Sequence, residues 1–222
     1  MSNHLLITGG EQGLGAGIVQ HALALGWRVT NIEGRFLRHE SNLRIAELIP
    51  SHHYTHVVNN YAINHLSWIG ETAKDDADIM RVNVMVPYWI INELVNRGLE
   101  CDVINISSQT YKVAQRTTSL YCASKAALVH MTKVMARELA PHGWRLNSLA
   151  PGKILGTEMS RLTDAQVLEL RGWGAEAADR YALDNIPMGR FTTVGEVAEA
   201  VFSIFSMPAY VNGTCIDMTG GV

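Results

Sequence analysis

The sequence predicts an α/β domain whose parallel sheet is covered by helices on both faces. Three observations predict it. Short apolar runs alternate with helical patterns along the whole chain, and a glycine-rich turn closes the first run at the point where a helix begins. No repeat, low-complexity stretch or Pro/Ser-rich linker divides the chain, so residues 1–222 are expected to form one domain. At 222 residues and 47% hydrophobic content, such a chain can build a core without disulfide or metal staples.

In order, Leu5 to Thr8 is a short apolar run stopped by Gly9 and Gly10. A helical pattern follows from about Leu14 to Leu25, then a second strand from Arg28 to Ile32, making one β-α-β unit. Further strands are expected at Val57 to Asn59, Val103 to Ser107, Arg145 to Leu149 and Thr214 to Met218. Between most of them lie helical segments of about Lys74 to Val95, Leu120 to Leu139, Thr163 to Tyr181 and Val194 to Phe205. Parallel strands joined by helical crossovers have both faces buried, which accounts for their near-continuous apolar runs.

Composition excludes several functions. A net charge of −3 with 18% charged residues leaves no global positive field to hold nucleic acid. No apolar run approaches the length of a membrane span, and no basic, apolar leader opens the chain. Cys101, Cys122 and Cys215 are an odd number and far apart, which points to reduced thiols, a cytoplasmic setting and no zinc site. His52, His53 and His56 have no cysteine or acid beside them. They read as loop histidines, with metal binding a minor alternative.

Chemistry enters at the turn Thr8-Gly9-Gly10-Glu11-Gln12-Gly13-Leu14-Gly15, between the first strand and first helix, where open α/β sheets bind ligands. Glycines let the backbone turn and approach a pyrophosphate, and a helix N-terminus offers free N–H groups to that anion. The turn lacks the lysine of a P-loop, which disfavours nucleotide hydrolysis. Alone it fits a dinucleotide site and a tight structural turn equally well. Glu33 stands 20 residues after Gly13, where a dinucleotide fold places an acid on the adenosine ribose. A solvated surface acid is the bland reading, and the strand, turn, helix and strand before it favour the ribose.

Tyr121 and Lys125 are four residues apart at the start of a helical segment, so phenol and ammonium share a face. Lowering a phenol from about 10 to about 7 takes roughly 4 kcal/mol. One positive charge about 4 Å away at an effective dielectric near 20 supplies about that much, so Lys125 is expected to lower the tyrosine. Ser108, 13 residues before Tyr121 at a strand end, can hold a substrate carbonyl. Asn83 lies four residues before Pro87. Proline has no N–H to return to the Asn83 carbonyl, which leaves either a plain kink or a carbonyl free to hold a relay water.

Taken together, these residues resemble the short-chain dehydrogenase/reductase family. The likeness runs through Thr8-Gly9-x-x-x-Gly13-x-Gly15, Asn59-Asn60, Asn83, Ser108, Tyr121-x-x-x-Lys125 and Asn147-Ser148-x-Ala150-Pro151-Gly152. It continues into Ile186-Pro187-Met188-Gly189-Arg190 and Gly220-Gly221. The resemblance implies a Rossmann-type doubly wound sheet and a nicotinamide cofactor, with hydride transfer between an alcohol and a ketone in a homotetramer or homodimer. It casts Tyr121 as acid/base, Ser108 as the substrate-orienting hydroxyl, Lys125 as the ribose and phenol partner, and Asn83 as the relay. It assigns the cofactor to Gly9, Gln12, Gly13, Leu14 and Gly15 of the turn and to Glu33. Asn59, Asn60, Tyr121, Lys125, Pro151, Gly152 and Ile154 complete that set, and no metal is implied. Glu33, with no cation at Glu11 or Gln12, favours NAD. Arg35 and Arg38 leave NADP possible.

Two features depart from the family. Tyr61-Ala62 stands where it usually reads Ala-Gly, and the segment between Glu33 and Val57 is short and without Asp. The third strand is therefore expected to be reduced or absent. Met159, Leu162, Trp173 and Tyr181 suit a lid over an apolar or ring-bearing substrate or an ordinary amphipathic helix. Besides an NAD-dependent alcohol dehydrogenase or ketoreductase, the sequence allows an NADPH-dependent 3-oxoacyl-type reductase or a non-catalytic dinucleotide sensor. A nucleotide-sugar epimerase would need a larger C-terminal part than the 70 residues after Gly152.

Overall fold

A computed structural model describes residues 2–37, 42–71 and 76–222. Its centre is a six-stranded, all-parallel sheet. The chain runs β1 (His4–Thr8), α1 (Gly13–Ala24), β2 (Arg28–Ile32), α2 (Gly34–Leu37), α3 (Asn42–Leu48) and β3 (His56–Asn59). It continues through α4 (Asp76–Met80), a π turn (Arg81–Met85), α5 (Val86–Asn96), β4 (Asp102–Ile106), α6 (Ser119–Leu139) and β5 (Arg145–Pro151). The last elements are α7 (Glu158–Arg171), α8 (Ala175–Asp184), α9 (Val194–Phe205) and β6 (Cys215–Met218).

The strand order is β2-β1-β3-β4-β5-β6. Successive strand side chains point to opposite faces, and both faces are buried. Leu6 and Val57 pack with Ile45 of α3, Ile90 and Leu94 of α5 and Met135 of α6. Leu5, Ile7 and Val58 face the other way, onto Ile18 of α1 and Val197 and Phe202 of α9. Among the described residues no strand lies beyond β2, so the expected loss of the third strand holds there. The chain leaves β1 toward β2 and returns on the other side as β3. That reversal opens a crevice at the carboxyl ends of β1 and β3, where Thr8-Gly9 and Asn59-Asn60 lie.

Three expectations are corrected. The helix expected over Thr163 to Tyr181 is two helices, because Gly172 adopts φ 65° and ends α7 with a left-handed cap that glycine takes without steric cost. α7 also starts earlier, where the Thr157 hydroxyl accepts the Ser160 N–H at 3.1 Å. The helix expected from Lys74, a residue outside the described ones, is interrupted before Pro87. There the ladder shifts so that the Val86 N–H donates to the Arg81 carbonyl five residues back, and Pro87 follows in the first turn of α5, so the disturbance is a π turn rather than a simple kink. His56 is no loop residue. It begins β3, with its ring packed between Trp27 and Phe205 at 4.3 and 4.7 Å. Among the described residues no helix is long and apolar enough to cross a membrane.

Candidate active site

The glycine turn is built for close approach. Gly9 and Gly13 have φ 68° and 53°, a region that L side chains rarely adopt. A Cβ on Gly15 would stand 1.9 Å from the Gly9 carbonyl oxygen, so helix and turn meet backbone to backbone. On Gly13 a Cβ would meet only Thr157, at 3.7 Å, which leaves that face open. The side chain of Leu14 is buried in the core beside Ile18, so only its backbone is available to a ligand. Gln12 is the N-cap of α1 without a side-chain cap bond.

Across the crevice the two asparagines divide the work. Asn60 Nδ2 donates to the carbonyls of Thr8 and Gly9, each at 3.0 Å, and the Thr8 hydroxyl accepts the N–H groups of Asn60 and Tyr61. Asn59 turns into the sheet, where its Nδ2 donates to Asn105 Oδ1 at 2.7 Å. The Tyr61 ring lies against Gly9 and Gly34. A Cβ on Gly34 would stand 2.1 Å from Tyr61 Cε2. At the end of β2, Glu33 pairs with Arg35 at 2.7 Å, both partly exposed. Arg38 lies outside the described residues.

The structure brings Ser108, Tyr121 and Lys125 together between β4 and the start of α6. The Ser108 hydroxyl lies near enough to the Tyr121 phenol to oppose the rise of its pKa, and it caps a short turn by accepting the Thr110 N–H at 3.3 Å. Lys125 Nζ donates to the Ile106 carbonyl at 2.9 Å and lies 5.6 Å from the Tyr121 ring centroid. Asn83 stands behind them, nearly fully buried. Its Nδ2 donates to Ser124 Oγ at 3.0 Å and to the Ile63 carbonyl at 2.9 Å, and its Oδ1 accepts the Ile63 N–H at 2.9 Å. Ser124 in turn donates to the Tyr121 carbonyl at 2.8 Å.

The expected lowering of the phenol is not what the chain's own groups produce. Burial pushes Tyr121 up to about 12 against a smaller opposing effect of the Ser108 hydrogen bond. Burial likewise brings Lys125 down to about 7. A charge in a dry pocket costs more than its partner returns. Lys125 is therefore only about half charged at neutral pH, and Tyr121, held up to about 12, stays protonated there.

The far wall is the segment after β5. Gly152 N–H donates to Met218 O at 2.9 Å, and a Cβ on Gly152 would meet Gln109 Oε1 at 3.1 Å. That Gln109 oxygen is buried without a hydrogen-bond partner. Ile154 bridges to Thr192, and its carbonyl accepts from Ser160 Oγ at 2.7 Å. Trp173 and Tyr181 of the expected lid touch edge to face at 5.1 Å.

A nicotinamide dinucleotide fits these residues: an open glycine face at the start of α1, a bridged crevice, and an orphaned buried acceptor beside Ser108. Sequence reasoning missed Thr8 as the clamp on Asn60-Tyr61, Asn31, whose Oδ1 accepts the Gly10 N–H at 2.7 Å, as a bridge to the glycine turn, and Ile63 as the partner of Asn83. The signal for Thr8 is a hydroxyl at a strand end facing a peptide. Asn31 and Ile63 have no local signal.

Known proteins place the chain. The family profile described as Enoyl-(Acyl carrier protein) reductase matches residues 52–222. L-xylulose reductase of Mesocricetus auratus is 30% identical over 171 residues, 74% of this chain, and the match spans 66% of that protein's length. L-xylulose reductase of Homo sapiens is 28% identical over 98% of this chain and 95% of its own. A short chain dehydrogenase family protein from Francisella tularensis subsp. tularensis SCHU S4 shares the fold with a TM-score of 0.87 at 20% identity, over 99% of this chain and 98% of that one. With the family profile matched over most of the chain and a relative 30% identical over 74% of it, the chain belongs to the short-chain dehydrogenase/reductase family.

Proposed function

We propose that the chain is a single-domain ketoreductase or alcohol dehydrogenase that uses NAD(H) and acts on a small alcohol or ketone. The observation that carries this reading is the convergence of Ser108, Tyr121 and Lys125 beside the glycine-turn crevice. The backbone of Gly9, Gln12, Gly13, Leu14 and Gly15 would hold the pyrophosphate, Glu33 the adenosine ribose and Lys125 the nicotinamide ribose. Asn60, Pro151, Gly152 and Ile154 would line the path between. The bound dinucleotide supplies or accepts the hydride. Ser108 holds the carbonyl oxygen, and the Tyr121 phenol gives that oxygen a proton in reduction or takes one in oxidation. A phenol held up to about 12 is protonated at neutral pH, the state in which it can give its proton to a carbonyl oxygen. Asn83 keeps Ser124, and through it the Tyr121 turn, in place.

Arg35, mostly exposed and paired with Glu33, favours one second reading, an NADPH-dependent 3-oxoacyl-type reductase. A sensor would bind a dinucleotide without turnover. Exposed Met80, Met85, Tyr88, Leu120 and Val134 on α4 to α6 support a homodimer or homotetramer. The odd, unpaired cysteines support a cytoplasmic location.

The test is absorbance at 340 nm with NADH and NADPH against a panel of ketoses, simple ketones and 3-oxoacyl thioesters. Turnover that Tyr121→Phe abolishes while dinucleotide binding persists is the expected result. Binding without turnover across the panel would favour the sensor.

A further inference from the structure

A ladder of arginines and aromatic rings closes the substrate side of the crevice. The Arg116 guanidinium lies over the Trp68 ring at 5.1 Å and the Arg171 guanidinium over the Trp173 ring at 5.1 Å, near enough for a cation–π attraction. Arg171 Nη2 donates to the Arg116 carbonyl at 3.2 Å, which joins the two halves, and the Tyr181 ring extends the ladder beyond Trp173. The loop after β3, the loop before α6, the end of α7 and α8 all meet in it.

Its place follows from α7. That helix starts at the glycine turn, where its N-cap Thr157 is what a Cβ on Gly13 would meet at 3.7 Å. It runs for 14 residues, about 21 Å at roughly 1.5 Å each, and ends on Arg171 against the Arg116 carbonyl. Arg116 stands on the segment whose two ends hold Ser108 and Tyr121. The helix thus crosses from the dinucleotide side of the crevice to the far side of the reacting groups, and the arginines mark that far end.

Neither arginine is neutralised. Among the described residues no carboxylate pairs with Arg116 or Arg171, and Glu71, on the Trp68 loop, accepts the Trp68 N–H at 3.1 Å instead. Arg116 is exposed, and stacking on an indole holds a guanidinium flat while leaving the N–H donors at its edge free. Arg171 is half-buried, with its Nε buried and without a hydrogen-bond partner, a costly state for a charged donor. Thr117, next to Arg116, is the one described residue other than glycine with a left-handed φ, 68°, and strain of this kind clusters at ligand clamps. A latch that only closed the lid would be better served by an acid opposite each arginine. Two unpaired guanidiniums held by rings and a strained turn instead match an oxyanion.

We infer that Arg116 and Arg171 form an anion subsite, and that the carbonyl substrate carries a phosphate or carboxylate at the end remote from its reacting carbon. This rests on the ketoreductase reading above and names the charge of its substrate.

The experiment measures kcat/KM by coenzyme absorbance for three matched pairs: a 2-ketopentose and its 5-phosphate, methyl 5-oxohexanoate and 5-oxohexanoate, and the N-acetylcysteamine and coenzyme A thioesters of acetoacetate. The first pair tests a phosphate ester, the second a carboxylate and the third the phosphates of a coenzyme A arm. We expect wild-type protein to favour the charged member of at least one pair by about tenfold or more, through KM rather than kcat. Arg116→Gln and Arg171→Gln should each lower that preference about fivefold, the worth of one charge about 4 Å away in water, and leave the neutral member within about threefold. Arg116→Lys, which keeps the charge and gives up the planar stack, should fall between. Circular dichroism confirms that each variant is folded. Titration of tryptophan fluorescence with each charged compound reads the subsite without turnover, and a variant carrying both glutamines should bind the favoured one at least about tenfold more weakly. No preference in any pair, an unchanged preference in folded variants, or equal losses for charged and neutral members would overturn the anion subsite and leave the ketoreductase reading standing. Turnover of no substrate with either coenzyme would overturn that reading, and the titration then decides the subsite alone: absent binding, or binding that the double variant leaves unchanged, sinks it.

Discussion

Asn83 clasps the backbone of Ile63 from both ends of its amide, accepting the Ile63 N–H and donating to the Ile63 carbonyl, each at 2.9 Å. The pair is 20 residues apart and joins the π turn to the loop after β3, which carries the crevice wall. In Asn83→Leu of similar volume, the two backbone groups lose their partners in a buried place, at roughly 1–3 kcal/mol each. The expected loss is about 3 kcal/mol of stability together with lower turnover. A urea midpoint equal to wild type would show that the clasp does not hold the loop.

Lys125 is expected to cost the protein stability. Its pKa is brought from 10.5 to about 7 by burial, so the folded state resists the charge that the unfolded chain carries. The sign follows: the penalty is absent above pH 10.5, grows as pH falls toward 7, and stays constant below. Lys125→Met keeps the apolar stem and loses one hydrogen bond to Ile106, worth about 1 kcal/mol. At pH 6 to 7 the variant should be more stable by on the order of 2 kcal/mol, or about 4–8 °C in Tm, while coenzyme binding and turnover fall. The gain should vanish near pH 10. Thermal melts at pH 6.5 and 10 decide it, and a variant less stable than wild type at pH 6.5 would contradict the buried-charge argument.

His56 sets an acid limit. Burial between Trp27 and Phe205 lowers it from 6.5 to about 4, against the opposing pull of Asp102 and with a smaller lowering from Arg145. The folded chain keeps the ring neutral, whereas the unfolded chain takes a proton below pH 6.5. Stability from this group is therefore complete above 6.5 and is lost between 6.5 and 4, by about 2 kcal/mol after allowance for partial exposure. His56→Gln should lose less than wild type between pH 7.5 and pH 4.5 in urea titrations. Equal losses would mean that other groups carry the acid transition.

What the sequence made legible follows from locality. The β-α-β unit, the glycine turn and the Tyr121–Lys125 face are short-range patterns, each set by the period of one element or by a backbone that only glycine adopts. The absence, among the described residues, of a strand beyond β2 was also legible, because the segment between Glu33 and β3 is short for the family. What stayed hidden depends on contacts across the fold. Pro87 announced a disturbed helix, but whether the ladder kinks or shifts to a π turn is decided by the packing around Asn83. Gly172 looks like any glycine within the Thr163 to Tyr181 pattern until the chain after it turns away. The upward shift of Tyr121 is hidden because a lysine beside a phenol is visible in sequence, whereas the burial that raises the phenol and lowers Lys125 is not.

Tyr61 and Gly34 are a matched pair, and a double-mutant cycle should show it. Gly34 opens α2, where alanine would ordinarily favour the helix by up to about 1 kcal/mol, and its φ lies outside the left-handed region. Nothing in the backbone therefore opposes Gly34→Ala. The obstacle is the Tyr61 ring, whose Cε2, Cδ2 and Cζ would lie 2.1, 2.3 and 2.8 Å from the new Cβ. The ring cannot swing aside freely, since it also rests on Gly9 and packs against the core layer of Ile45 and Ile90. Gly34→Ala alone should cost about 1–3 kcal/mol by overpacking. Tyr61→Ala alone should cost about 2–4 kcal/mol by removing a partly buried ring. In the double variant the added methyl enters space that the ring has left, so the two losses should fall short of additivity by at least about 1 kcal/mol. Urea unfolding of the four proteins measures the coupling. Strict additivity would mean that the ring moves without cost.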